Sequence, residues 1–321
     1  GGYPLSGLKS GNRRGAFTLV ECLAALTLAS FILSLFFTPV KNALYAYRLY
    51  NDRRIAESRI CTVGAVLRIP VFYCALGIPL DAGEYKKSFG SNLSSPFSWN
   101  GPISVIQGRD GKADGCLRLA YGCPEPCRTL REYNAGKADS SFRFDAAANQ
   151  NYFALDLHDK SQSVKNWVLF ENCVPRRTPL VVTRASGSEL QLKTLSADEA
   201  VVPKGDRLLL FRAVECWALN DRLYTKDFRT TGDQPRENGV CDIRFYLNDD
   251  RSRLTACLIV RGDDDSLAPG RVIGAEKCPE ELLSQWRGRS RYVLYCARFT
   301  WPILNNRAQQ LRGMAYNGGN A

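Results

Sequence analysis

Hydrophobic and polar positions follow three different patterns along this chain. From Phe17 to Phe37 the sequence is almost continuously apolar, with Glu21 its one ionisable residue. A helix rising ~1.5 Å per residue crosses the hydrocarbon layer in roughly twenty residues, so this run is long enough to span a bilayer. Beyond Pro39 the apolar residues recur at helical steps. Tyr45, Leu49, Ala56, Ile60, Val63 and Leu67 share one face, while Arg48, Asp52, Arg53 and Arg59 populate the others. Pro39 marks a kink, and Pro70, which lacks the next amide donor, marks the end. Residues 17–70 are therefore predicted to form one long helix, with 17–37 spanning the membrane and the second half packed on a globular head.

From residue 71 to 321 the signals are mostly strands and turns. Pro102–Tyr121 reads as strand, Asp-Gly turn, strand. Arg207–Leu219, the Asn220-Asp221 turn and Arg222–Thr225 read as a second hairpin. Val240–Leu247, Leu254–Arg261 and Arg291–Trp301 complete the set, with a helix expected around Pro279–Trp286. The prediction is an α+β protein: a long N-terminal helix on a β-rich head.

Composition sets the compartment. The chain has 321 residues, 45% hydrophobic and 23% charged, with a net charge of +11. Lys9, Arg13 and Arg14 precede the apolar run, and that positive flank is expected to stay on the cytoplasmic side, sending everything after the helix outward. Of the twelve cysteines, Cys22 lies in the apolar segment. Cys61, Cys74, Cys116, Cys123, Cys127, Cys173, Cys216, Cys241, Cys257, Cys278 and Cys296 are scattered through the rest at irregular spacing. That distribution suits disulfides in an oxidising, extracytoplasmic compartment, with at least one thiol left over and the connectivity open.

The N-terminal run admits three readings. A secretory signal peptide is cut after its apolar region, but this run is long for one. A plain anchor leaves Glu21 unexplained, and an intramembrane carboxylate is costly enough to imply a role and a partner. The string Arg14-Gly15-Ala16-Phe17-Thr18-Leu19-Val20-Glu21 resembles the prepilin cleavage site of type IV pilins and type II secretion pseudopilins. By that resemblance residues 1–16 are a prepilin leader. A prepilin peptidase cuts between Ala16 and Phe17, Phe17 becomes the N-methylated terminus, and Glu21, the fifth mature residue, neutralises the terminal ammonium of a neighbouring subunit. The family places Gly directly before the cut, whereas here Gly15 stands one step earlier. Cleavage after Gly15 is the alternative, and it makes Glu21 the sixth residue.

The head extends the resemblance. Val105–Gly111 with Asp114–Tyr121, then Asn220–Tyr224, Glu237–Tyr246, Leu258–Gly262, Arg298–Thr300 and Leu304–Arg307 resemble, in order, the PilW/PulJ class of minor pilins. The resemblance implies a pilin-like fold and a minor pilin or minor pseudopilin that primes assembly or sits near the filament tip. Its implied partners are other pilins, prepilin peptidase, the inner-membrane assembly platform and membrane lipid. The chain is then a single-pass inner-membrane protein before assembly and part of an extracytoplasmic filament at the cell surface afterwards. The alternative is a filament-presented binding module, a DNA-uptake receptor or adhesin.

Other chemistry is thinly represented. His158 is the single histidine, which removes most His-dependent catalysis, and the sequence has neither a phosphate-cradling Gly loop nor a nucleophile elbow. No enzymatic activity and no cofactor are expected. Cys116, Cys123 and Cys127, the last two flanking Pro-Glu-Pro, fit zinc less well than a stiff loop pinned by disulfides. Asp263, Asp264 and Asp265 form an oxygen-rich turn without the spacing of a calcium loop, a weak cation candidate beside the simpler reading of a solvated turn. Arg176-Arg177 and Trp286–Tyr292 interleave cations with aromatics, as DNA-binding surfaces do, although such stretches are commonly charged exterior.

Overall fold

A computed structural model describes residues 18–90, 94–106, 115–174, 177–196 and 199–305. The leader, Gly15, Ala16, Phe17, the 107–114 turn, Arg176 and Arg307 lie outside the described residues. The chain divides into two compact units after Asn51.

Helix α1 runs from Leu19 to Tyr73 without interruption. It passes through Pro39 and, against expectation, through Pro70. A proline inside a helix removes one hydrogen bond and costs ~3 kcal/mol or more. Here Pro70 is itself buried beside buried Leu67 and Val71, and their packing carries the helix one turn further. A short helix, α2 (Ala82–Ser88), follows, capped by the Asp81 carboxylate, which accepts from the Gly83 and Glu84 amides.

The strands then follow in chain order: β1 (Ile103–Ile106), β2 (Cys116–Arg128), β3 (Tyr133–Ala135), β4 (Ser140–Arg143) and β5 (Trp167–Phe170). Next come β6 (Leu180–Ser186), β7 (Glu189–Lys193), β8 (Ala200–Val202), β9 (Arg207–Leu219), β10 (Arg222–Asp227) and β11 (Gln234–Asn238). The last are β12 (Val240–Leu247), β13 (Arg253–Arg261), β14 (Val272–Ile273), helix α3 (Glu280–Leu283) and β15 (Leu294–Pro302). The fold is α+β, with a long apolar N-terminal helix and a β-rich head.

The larger sheet has nine strands in the order β1-β2-β9-β5-β6-β7-β4, with β10 also paired to β9 and β11 to β10. Its centre is buried on both faces. Val168 and Phe170 of β5, with Leu208 and Leu210 of β9, join a core with Phe142, Phe144, Leu190 and Leu192. The intervening Trp167, Leu169, Leu209 and Phe211 join a second core with Tyr85, Phe89, Phe97 and Trp99. This double burial explains the unbroken Leu-Leu-Leu-Phe run of β9, since a strand covered on both sides has no polar face to alternate with. The β9–β10 turn has Asn220 at φ 50° and Asp221 at φ 58°, the two left-handed residues that a tight primed hairpin turn requires.

The second sheet has four strands in the order β12-β13-β15-β14. β15 begins three residues later than the sequence pattern predicts, and α3 is a single turn rather than the expected helix over 279–286. β3 and β8 form a separate two-stranded ribbon.

Candidate functional site

Glu21 and the helix-face residues lie on α1, and Asp263–Asp265 on the loop after β13. At the start of α1 the Glu21 Oε2 accepts from the Thr18 amide at 2.9 Å and from Thr18 Oγ1 at 3.0 Å. The Glu21 amide in turn lies 3.3 Å from Thr18 Oγ1. This reciprocal Thr-x-x-Glu arrangement is a capping box, and it satisfies donors that the first turn of a helix otherwise leaves open.

From Leu19 to Val40 the large apolar side chains are exposed, among them Leu23, Leu26, Phe31, Leu33, Phe36 and Phe37. The helix holds a stretch long and apolar enough to cross a membrane, and none of that stretch is buried. Three of its hydroxyls are satisfied internally. Thr27 Oγ1 donates to the Ala24 carbonyl at 2.9 Å, Ser30 Oγ to Leu26 at 2.7 Å and Ser34 Oγ to Phe31 at 2.7 Å. A segment in hydrocarbon must meet its polar groups' needs in this way.

From Asp52 onward the helix belongs to the compact unit of the head and packs on the second sheet. Ala56, Val63 and Leu67 of the predicted stripe are buried and Ile60 is half-buried, while Tyr45 is exposed. The rest of the attachment is polar and differs from the prediction. Asp52, expected away from the apolar stripe, is 1% exposed. Its Oδ1 accepts from the amides of Asp263 at 2.7 Å and Asp264 at 3.0 Å, and its Oδ2 from the Tyr295 hydroxyl at 3.1 Å. Burial first, and then the adjacent carboxylate, push the Tyr295 phenol above its ordinary range, so it remains a donor. Gly262 permits this approach, because a Cβ there would fall 1.9 Å from Asp52 Oδ1.

About two turns on, Arg59 Nη1 donates to the Arg261 carbonyl at 2.6 Å, and Nη2 pairs with Asp263 Oδ1 at 2.8 Å. Gly239, at φ +71°, makes room for that guanidinium, whose atoms would lie 2.6 Å from an added Cβ. The 262–266 loop is thus an anion-receiving turn. Its amides point at Asp52, Asp263 is shared by Arg59 and Arg261, and Asp264 Oδ1 accepts from Ser266. Asp265 is exposed. Among the described residues no group of His, Cys, Asp and Glu side chains is arranged to hold a metal ion.

The other predicted groups are dispersed. No two cysteines are joined in the structure, with Cys22 and Cys61 exposed on α1 and Cys123 half-buried. The Cys123-Pro-Glu-Pro-Cys127 stretch, expected as a loop, lies in β2. There the five residues from Pro124 to Arg128 face only the three from Leu209 to Arg207 across the ladder, so the prolines are absorbed in a bulge. Cys116 is opposite Trp217 and Cys216 opposite Leu117, which puts the two thiols on opposite faces of the sheet. Cys241, Cys257, Cys278 and Cys296 share one apolar cluster with Leu282 and Leu283 of α3.

His158 is exposed. In the cation-rich segment Arg287 pairs with Glu280 at 2.7 Å, and Arg291 lies over the Tyr292 ring. Arg177 is half-buried.

No family model, curated protein or solved structure matches this chain.

Proposed function

We propose that this chain is a pilin-like filament subunit, a minor pilin or minor pseudopilin of a type IV pilus or a type II secretion pseudopilus. The observation that supports it is a single helix with two kinds of surface. Leu19–Val40 is apolar and exposed with one carboxylate, at Glu21, while the stretch from Asp52 is buried in a β-rich head. The first surface suits a bilayer before assembly and the helices of neighbouring subunits afterwards. The second fixes the head to the helix through Asp52 and Arg59. In this reading the chain is anchored in the inner membrane, processed by prepilin peptidase at Gly15–Phe17, passed to the assembly platform and displayed outside the cell. Its role is structural, with no catalytic step.

Glu21 then has two tasks. In the single chain its Oε2 closes the capping box with Thr18. In the filament its Oε1 accepts the terminal ammonium of the neighbouring subunit, a pairing strengthened by the low dielectric around it. Glu21→Gln separates the two, because glutamine keeps the carbonyl that caps the helix and loses the charge. Incorporation into sheared filaments should fall at least about tenfold, equivalent to ~1.4 kcal/mol, with helix content unchanged. Incorporation at the parent level would refute the pairing.

A further inference from the structure

The face of the second sheet turned away from α1 carries a row of thiols that the filament role does not use. In the β13–β15 ladder Leu258 is directly opposite Ala297, Cys257 is opposite Arg298 and Cys296 is opposite Ile259. Side chains alternate along each strand, so Cys257 and Cys296 point to one face, flanking the Leu258–Ala297 pair. Cys278, between the short turn Ala275–Lys277 and α3, sits above that pair. Its Sγ lies 3.6 Å from the Leu258 carbonyl oxygen and 3.9 Å from that of Ala297. The three thiols are buried together in one apolar cluster. Leu282, Leu283 and Leu294 wall the cluster.

From this placement we propose that Cys278 is the shared partner of one disulfide that closes to either Cys296 or Cys257, leaving the third cysteine as a thiol. The bond is made by exchange with an external disulfide, RS–SR. A thiolate of the cluster attacks one sulfur and expels RS⁻. The adjacent thiol, losing its proton, then attacks the mixed disulfide and expels the second RS⁻. Two cysteine thiols are oxidised, RS–SR is reduced to two RSH, and both protons end on the leaving thiols. Because the third thiol stands beside Cys278, it can attack the finished bond and exchange places. Either bond ties the segment bearing α3 to the sheet that packs on α1, and neither can coexist with the other.

The test is a disulfide map of the full chain, refolded in detergent with reduced and oxidised glutathione, its remaining thiols alkylated before proteolysis and mass spectrometry. The expected result is a peptide linking Cys278 to Cys296 or to Cys257, with Cys278–Cys257 persisting in C296S and Cys278–Cys296 persisting in C257S. A parent map in which Cys278 is alkylated, or in which Cys257 is joined directly to Cys296, would overturn the proposal. The parent map carries the test even where a variant fails to fold, and circular dichroism identifies such a variant.

Discussion

Replacing Asp52 by alanine removes the acceptor for three donors at once: the Asp263 and Asp264 amides at 2.7 and 3.0 Å and the Tyr295 hydroxyl at 3.1 Å. The site is closed, with Asp52 1% and Tyr295 4% exposed, so water cannot readily take the carboxylate's place. A buried donor left without a partner costs ~1–3 kcal/mol, which puts the loss from three at roughly 3–6 kcal/mol after allowing for the carboxylate's own desolvation. For a domain of this size each kcal/mol moves the melting temperature by about 2–4 °C, so Asp52→Ala should melt roughly 6–24 °C below the parent. Asp52→Asn keeps one acceptor but sets an NH₂ group against a donor, and should fall between the two. The assay is thermal unfolding of the full chain in detergent, followed by tryptophan fluorescence, since all five tryptophans (Trp99, Trp167, Trp217, Trp286 and Trp301) lie in the head. In a double-mutant cycle with Tyr295→Phe, the two substitutions should be clearly non-additive because they share a bond. An alanine variant that melts within about 2 °C of the parent would refute the reasoning, because the carboxylate would then not be what holds the 262–264 loop to the helix.

Gly262→Ala drives a Cβ to within 1.9 Å of Asp52 Oδ1 and should destabilise the head by about 2 kcal/mol or more, read in the same melt. Most of that cost should disappear when it is combined with Asp52→Gly. Leu67→Ala opens a cavity beneath the helix and should cost ~2–5 kcal/mol, whereas truncation of exposed Leu33 should leave the melt of the head unchanged. Thr18→Val removes the hydroxyl of the capping box and should lower helix content in micelles by the equivalent of ~1 kcal/mol, measured by circular dichroism.

The helix was legible because its two halves carry the two clearest signals a sequence offers, an unbroken apolar run and a stripe of period 3.6. Asn220-Asp221 was legible for a similar reason, as residue types that tolerate positive φ between two apolar runs. The Asp52 anchor was set apart from the apolar stripe because a charge is not normally part of a packed face. Yet the stripe itself held the clue. Leu49 and Ala56 are seven residues apart, and the position missing between them on that face is Asp52. The Gly-Asp-Asp-Asp loop read mainly as a solvated turn and only weakly as a cation site, but its backbone amides decide its chemistry, and their direction is invisible in sequence. The strands from β3 to β8 were not read, since they are three to seven residues long and their pairing depends on distant partners. Cys278 gave no hint of its neighbours because the antiparallel ladder, not spacing along the chain, brings Cys257 and Cys296 to either side of it.

The measurement that bears most directly on the filament reading is the N-terminus of the chain after co-expression with a prepilin peptidase. The account predicts a product that has lost the leader through Ala16 and begins at an N-methylated Phe17, with the apolar run intact, as determined by intact mass and N-terminal peptide sequencing. A chain that keeps its leader, or one cut beyond Phe37 so that the apolar run is lost, would contradict it.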